Sequence, residues 1–363
     1  MLDAIRKFFR GNNTDSGITE VPDTTLYRVS PEKQEVKREY GYIATSEKTQ
    51  EENMSGDISF FHKDITYILK RQPEKKRGDD SILIDEQTGL IGIADGISGE
   101  HGEFTEGPAA DASMKTLAML AEQFKQIRTQ ANKIPQKTQR QLLMQEQLRV
   151  EGNYGVAPTG TFQEQLTNLE TQVSERTIQE TIAALFTLTR TIDAIDKHIK
   201  TKGLSTLSVG KTIPLQDGRH VALYALVGDS YVLIEDKDGH ITNMVPPQTW
   251  AHYLGQHPNE GPQDPEQRLK LSTQLGNSIN MPRTLAIASK QSLARMGMDV
   301  SIGVTILEQG QSLIFTSDGI DTIGGTREAG IKSALNNNFA GQADDISVVC
   351  CTPKSTEAMQ KAA

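Results

Sequence analysis

The sequence predicts an α+β fold with antiparallel sheets, and three observations carry that prediction. Short apolar runs of strand length fill the first third of the folded part. Two long runs of helical period follow as a block, and strands then return and, with one more helix, close the chain. Strands and helices kept in separate runs indicate α+β, whereas strict alternation would indicate a parallel sheet between helices. No internal repeat interrupts this order.

Residues 1–38 stand outside the pattern. The opening "MLDAIRKFFRG" sets Leu2, Ile5, Phe8 and Phe9 against Arg6, Lys7 and Arg10. Such an amphipathic segment suits either weak contact of residues 1–10 with an anionic membrane or a partner, or a docked terminal helix. The polar, aperiodic stretch from Gly11 to Arg38 reads as a linker. One folded domain is expected over residues 39–353, with a short tail at 354–363.

Within that domain "YGYIA", "ISFF", "ITYILKR", "SILID" and "LIGIA" read as strands. The period then changes: Ala110, Met114, Leu117, Ala118, Ala121 and Phe124 share one helical face, and Pro108 stands near the first turn. Residues 125–165 are rich in Gln, Lys, Arg and Thr and read as a helical, Gln-rich insertion. A second long helix is expected over roughly Phe162 to Lys200, from Ile178, Ile182, Leu185, Leu188 and Ile192 at helical spacing.

Strands return in "TLSVGKTIPL", "HVALYALVGDSYVLIED" and "HITNMV". Asp238-Gly239 marks a hairpin turn. A calcium loop is rejected there, because Ile234 and Val245 stand where an EF-hand needs ligands. Residues 246–298 read as helical or irregular cover. The chain closes with "VSIGVTILEQGQSLIFTSDGIDTIGG", a helix around "REAGIKSALNN" and the strand "DDISVVCCT".

Composition narrows the function. A formal net charge of −9 over 363 residues argues against the basic surface that nucleic-acid binding by counterion release requires. Cys350 and Cys351 are neighbours in a strand, so their side chains face opposite sides of the sheet and do not bridge. That reading suits a reducing compartment. No window approaches the roughly 18 apolar residues of a membrane span, and the start lacks the apolar core of a secretory signal. A cytoplasmic protein without a transmembrane segment is expected.

Chemistry gathers where apolar strands meet acids. "SILI" follows Asp79-Asp80, "IGIA" precedes Asp95-Gly96, "LIFTS" precedes Asp318-Gly319, and "ISVV" follows Asp344-Asp345. Each Asp-Gly alone is also an ordinary turn signal. If the four strand ends converge, however, several carboxylates share a small volume, and like charges raise one another's pKa unless a cation intervenes. All-oxygen donors with no His or Cys spacing favour Mg²⁺ or Mn²⁺ over zinc.

The ordered set "RGDDSILID", "IGIADGISGEHG", "ALVGDSYVLIEDKDGHI", "LSTQLGN", "SLIFTSDGID" and "ADDISVVCC" resembles the metal-dependent serine/threonine protein phosphatases of the protein phosphatase 2C type, over about residues 65–352. The resemblance implies a sandwich of two antiparallel sheets flanked by helix pairs, in four layers αββα, with at least two Mn²⁺ or Mg²⁺ ions at one end. It implies that Asp95 bridges the ions and that the Gly96 carbonyl binds one of them. Asp318 and Asp344 hold the other, Asp79 acts directly or through water, and Asp80 supports the site.

The implied activity is hydrolysis of phosphoserine and phosphothreonine esters in a phosphorylated protein, by attack of a bridging water or hydroxide. Lys75, Lys76 and Arg77 are the candidates for holding the substrate phosphate, and His101 is the candidate general acid. This chain departs from the family at Ile97, where many members have histidine or methionine, and at Ser98, which replaces a glycine. It also lacks an acid in "KTKGLST", where some members bind a third ion; Asp193 and Asp196 are the upstream alternatives. Asp229 reads as a structural acid at a strand turn. Two other functions fit the same residues: a weakly active or inactive relative serving as a binding or regulatory module, and a metal-dependent hydrolase of small phosphoesters.

Overall fold

The computed structural model describes residues 42–44, 50–52, 58–62, 65–72, 79–85, 88–97, 107–201, 203–272, 299–336, 338–342 and 344–353. The amphipathic segment at 1–10, the linker, Lys75, Lys76, Arg77, Ser98, His101, residues 273–298 and the tail at 354–363 lie outside the described residues.

Two sheets are stacked face to face. The first runs in the order β1 (Tyr42–Ala44), β5 (Ser81–Asp85), β6 (Leu90–Ala94), β9 (Leu207–Pro214), β10 (His220–Val227), β13 (Ser301–Leu307). The second runs β12 (Ile241–Asn243), β11 (Tyr231–Glu235), β14 (Ser312–Thr316), β15 (Ile346–Pro353), β4 (Ile65–Gln72), β3 (Ile58–His62), β2 (Gln50–Glu52). A short ladder joins β7 (Gly96–Ile97) to β8 (Leu204–Ser205). Among the described residues every strand pairing is antiparallel except β1, which lies parallel on β5 at the edge of the first sheet.

Strands β5, β6, β10 and β14 are buried on both faces, and alternation sorts their side chains into layers. Ile82, Ile84, Ile91, Ile93, Tyr224 and Phe315 fill the space between the sheets. Leu83, Leu90, Leu223 and Ala225 point the other way, toward helices α1 (Gly107–Ala131) and α4 (Glu175–His198). Across the second sheet Ile314, Val348 and Cys350 pack on Ile331 and Ala334 of α7 (Arg327–Leu335). Cys350 and Cys351 thus enter different layers, both buried and free, as neighbours in a strand must.

The helical block differs from the expectation of one helix over Phe162 to Lys200. The structure has α3 (Phe162–Glu170) and α4, separated by a turn in which the Thr171 N–H donates to the Asn168 carbonyl. Local capping overrides the periodicity: Thr161 and Glu164 close a reciprocal cap at the start of α3, and the Ser174 hydroxyl accepts from the Thr177 N–H at 3.3 Å to begin α4.

The insertion contributes α2 (Gln136–Tyr154), and its glutamines have a structural use. Among the described residues β13 is an edge strand, and the peptide groups of such a strand are open to another chain unless covered. The buried Gln147 amide donates to the Val300 carbonyl at 2.8 Å and accepts from the Ile302 N–H at 3.0 Å. Gln165 of α3 accepts from the Val304 N–H at 3.0 Å. Side-chain amides therefore stand in for a missing neighbour strand. Beyond β12, α5 (Trp250–Gln256) and α6 (Pro265–Ser272) follow, and Trp250, Tyr253 and Leu254 of α5 pack on Val150 and Tyr154 of α2. No helix among the described residues is long and apolar enough to cross a membrane.

Candidate metal centre

Register brings the acids to one end of the sandwich. Ser81 at the start of β5 pairs with Ala94 at the end of β6, which sets Asp79-Asp80 beside Asp95. Thr316 at the end of β14 pairs with Val348 near the start of β15, which sets Ser317-Asp318 beside Asp344-Asp345. Leu207 pairs with Val227, so β10 delivers Gly228-Asp229 to the same rim.

Hydrogen bonds stitch the two sheets together there. The Asp79 N–H donates to the Asp345 carboxylate. The fully buried Ser317 hydroxyl donates to Asp80 Oδ2 at 2.7 Å and accepts from the Ser347 N–H at 3.1 Å. Asp95 is held through its backbone: its N–H donates to Thr206 Oγ1 at 3.1 Å, and its carbonyl accepts from the Thr206 N–H at 2.9 Å. Thr206 Oγ1 lies 2.7 Å from the buried Ser230 hydroxyl, next to Asp229.

The residue after Asp95 must be glycine for lack of room. A Cβ at Gly96 would stand 2.7 Å from the Asp79 carbonyl oxygen and closer still to the Ala109 carbonyl of α1. Gly96 therefore lets the end of β6, the acidic pair and the start of α1 meet.

The acids act on one another as the sequence anticipates. Asp95 is partly open at the rim, but protein packs closely around its carboxyl. Desolvation first, then the charges of Asp80, Asp318, Asp229 and Asp344, push its pKa well above the carboxylate range. Burial also raises Asp318, against the hydrogen bond it makes with Asp95. Burial and the charges of Asp318 and Asp344 push Asp229 up to about 7. Five carboxylates of like charge at one rim form a donor set that a hard divalent cation would relieve. Their chemistry fits Mn²⁺ or Mg²⁺.

Of the predicted site residues, Asp79, Asp80, Asp95, Gly96, Asp318 and Asp344 are brought together. Within the acidic pair, Asp80 is the one whose charge weighs most on Asp95 among the neighbouring acids. Lys75, Lys76, Arg77 and His101 fall outside the described residues. Asp193, an upstream alternative for a further ion, pairs instead with Lys197 at 2.6 Å on the side of α4.

Asp229, read from sequence as a turn acid, belongs to the cluster. The signal for it was present, since it too abuts an apolar strand, but Gly-Asp-Ser reads locally as a turn. Ser317 and Asp345 lie within the strand-end motifs, but only the pairing of β14 with β15 gives them their part.

Among the described residues, Asp236, Asp238 and His240 alone bring three ligand-type atoms within 4.8 Å of one another, and the acids around Asp95 stand farther apart as a set. That trio forms the expected hairpin turn. Asp236 Oδ1 accepts from the N–H groups of Asp238 and His240 at 2.8 and 2.9 Å, and Gly239 has φ of 79°. The turn itself occupies the Asp236 carboxylate.

No family model and no curated protein matches the chain. Solved structures similar to it include the serine/threonine phosphatase of S. agalactiae, at 15% identity over 80% of this chain and 100% of that one, with a TM-score of 0.43. The PPM Ser-Thr phosphatase MsPP from Mycobacterium smegmatis, in complex with cacodylate, is 14% identical over 79% of this chain and 97% of that one, with a TM-score of 0.40. The catalytic domain of the serine/threonine protein phosphatase PstP, with two manganese ions, is 13% identical over 80% and 99%, with a TM-score of 0.39. All three are described as serine/threonine phosphatases. Likeness at this level assigns no residue role.

Proposed function

We propose that the chain is a metal-dependent phosphoprotein phosphatase that hydrolyses phosphoserine and phosphothreonine monoesters at the Asp95 centre. The observation that carries this reading is the convergence of acids from five strand ends on one rim, with Asp95 acted on by four other carboxylates. Asp95, Asp318, Asp344 and Asp79 would hold at least two Mn²⁺ or Mg²⁺ ions, the Gly96 carbonyl would add a neutral oxygen, and Asp80 would support Asp95 from the side. The ions, when bound, supply Lewis acidity and a water deprotonated near neutrality. Phosphate-monoester hydrolysis is among the slowest uncatalysed reactions, which is why carboxylates alone do not suffice.

The chain's own residues do the rest. Thr206 fixes the Asp95 backbone, Ser317 fixes the Asp80 carboxylate, and Asp345 fixes the backbone of Asp79. Lys75, Lys76 and Arg77 would hold the substrate phosphate, and His101 would give a proton to the departing seryl or threonyl oxygen. A phosphorylated protein is the partner in this reading. Two buried, free thiols support a reducing, cytoplasmic setting.

The test is release of phosphate from a phosphothreonine peptide with and without Mn²⁺, with Asp95→Ala and Asp318→Ala alongside. Mn²⁺-dependent turnover that both substitutions abolish is expected. Ion binding without turnover on peptide or aryl phosphate would favour the binding-module reading. Turnover confined to aryl phosphate would favour a small-phosphoester hydrolase.

A further inference from the structure

We infer that Arg327 is a positioning residue for the acid cluster: through Asp321 and Tyr231 it fixes the turn that carries Asp318 against the strand that follows Asp229. The inference rests on the metal-centre reading and concerns residues outside the acid set itself.

Asp318 is the first residue of a 3-10 turn, Asp318–Thr322, and Asp321 stands three residues on. Two residues from separate elements grip Asp321 with three hydrogen bonds. Arg327 Nε and Nη2 each donate at 3.1 Å, to Oδ1 and Oδ2 respectively. The Tyr231 hydroxyl donates to Oδ2 at 2.7 Å. The Arg327 guanidinium also lies over the Tyr231 ring, 3.6 Å from its centroid.

Each partner is anchored. Arg327 opens α7, whose start is capped by Thr326 accepting from the Ala329 N–H at 3.2 Å. Tyr231 opens β11 two residues after Asp229 and pairs with Thr316, two residues before Asp318. Thr322 Oγ1 donates to the Gly319 carbonyl at 2.7 Å, and Ile320 beneath the turn is fully buried. The assembly ties the segments carrying two acids of the cluster to one guanidinium.

An ordinary exposed ion pair contributes little. Here the side chains of Arg327 and Asp321 are 34% and 40% exposed, but the contact is bidentate, stacked and completed by a third hydrogen bond. Lysine has neither the planar fork nor the flat face for the ring, so it cannot take Arg327's place. Partners that orient metal-ligating carboxylates change metal affinity by about 10- to 100-fold when removed.

The experiment is Mn²⁺ titration by calorimetry on the full chain, comparing wild type with Arg327→Ala, Arg327→Lys and Tyr231→Phe. Melts in EDTA and p-nitrophenyl phosphate kinetics at saturating Mn²⁺ accompany it. Arg327→Ala should bind Mn²⁺ about 10-fold more weakly or worse, Arg327→Lys nearly as weakly, and Tyr231→Phe less so, with KM unchanged and a folded melt retained. If Arg327→Ala does not fold, Arg327→Lys decides the matter.

Unchanged Mn²⁺ affinity in a folded variant, beside a wild type that binds, overturns this inference alone. A raised KM with unchanged Mn²⁺ affinity also overturns it, by making Arg327 a substrate contact. A wild type that binds no Mn²⁺ overturns both this inference and the metal centre.

Discussion

Asp95 interrupts an apolar strand with a charge, and that interruption was readable before any fold was known. Its neighbour Gly96 sharpens the account, because sterics leave no room there for a side chain. Gly96→Ala should lower stability by about 1–3 kcal/mol or more, as overpacking of close-packed sites does. Chemical denaturation of the metal-free protein measures this, and an unchanged midpoint would mean that α1 and the acidic pair are not packed as described. Asp229 shows where residue-level reading stops. Gly-Asp-Ser satisfies a turn locally, and only the pairing of Leu207 with Val227 carries that acid to the rim.

At the level of elements, inner strands such as β5, β6, β10 and β14 were legible because burial on both faces makes them short, continuous apolar runs. The break between α3 and α4 was not, because hydrophobic period continues through it while Ser174 and Thr161 cap locally. The insertion was legible as helix but not in its use, since which strand is an edge is a property of topology. Replacing Gln147 by Leu keeps the helix and removes the partners of the Val300 carbonyl and the Ile302 N–H. A loss of about 1–3 kcal/mol per group left unsatisfied is expected. Urea denaturation reads it, and light scattering should show association through the uncovered edge of β13. A variant as stable and monomeric as wild type would contradict the edge-cover role.

Over the whole molecule, the acid cluster links stability to pH and, in the proposed reading, to metal. Burial and like charges raise Asp95 well above its unfolded value and Asp229 to about 7. An acid whose folded pKa is raised binds its proton more tightly when folded. The metal-free chain is therefore favoured below about pH 4, and it loses that contribution as pH rises through the folded values toward 7 and above. Melts in EDTA should fall between pH 5 and pH 8, and Mn²⁺ at pH 7.5 should restore the loss by binding the ionised carboxylates. A metal-free melting temperature that rises over that window would contradict the cluster's electrostatics. The αββα sandwich was legible as a resemblance in the ordered motifs; the parallel β1 at its edge was not, because its three residues carry no signal of direction.

The central claim is that the acids around Asp95 hold catalytic divalent ions, and direct Mn²⁺ titration by calorimetry at pH 7.5 tests it most closely. Wild type should bind at least two ions per chain, and Asp95→Asn, folded in EDTA, should lose that binding. Absence of binding by wild type, or equal binding by Asp95→Asn, would contradict the account.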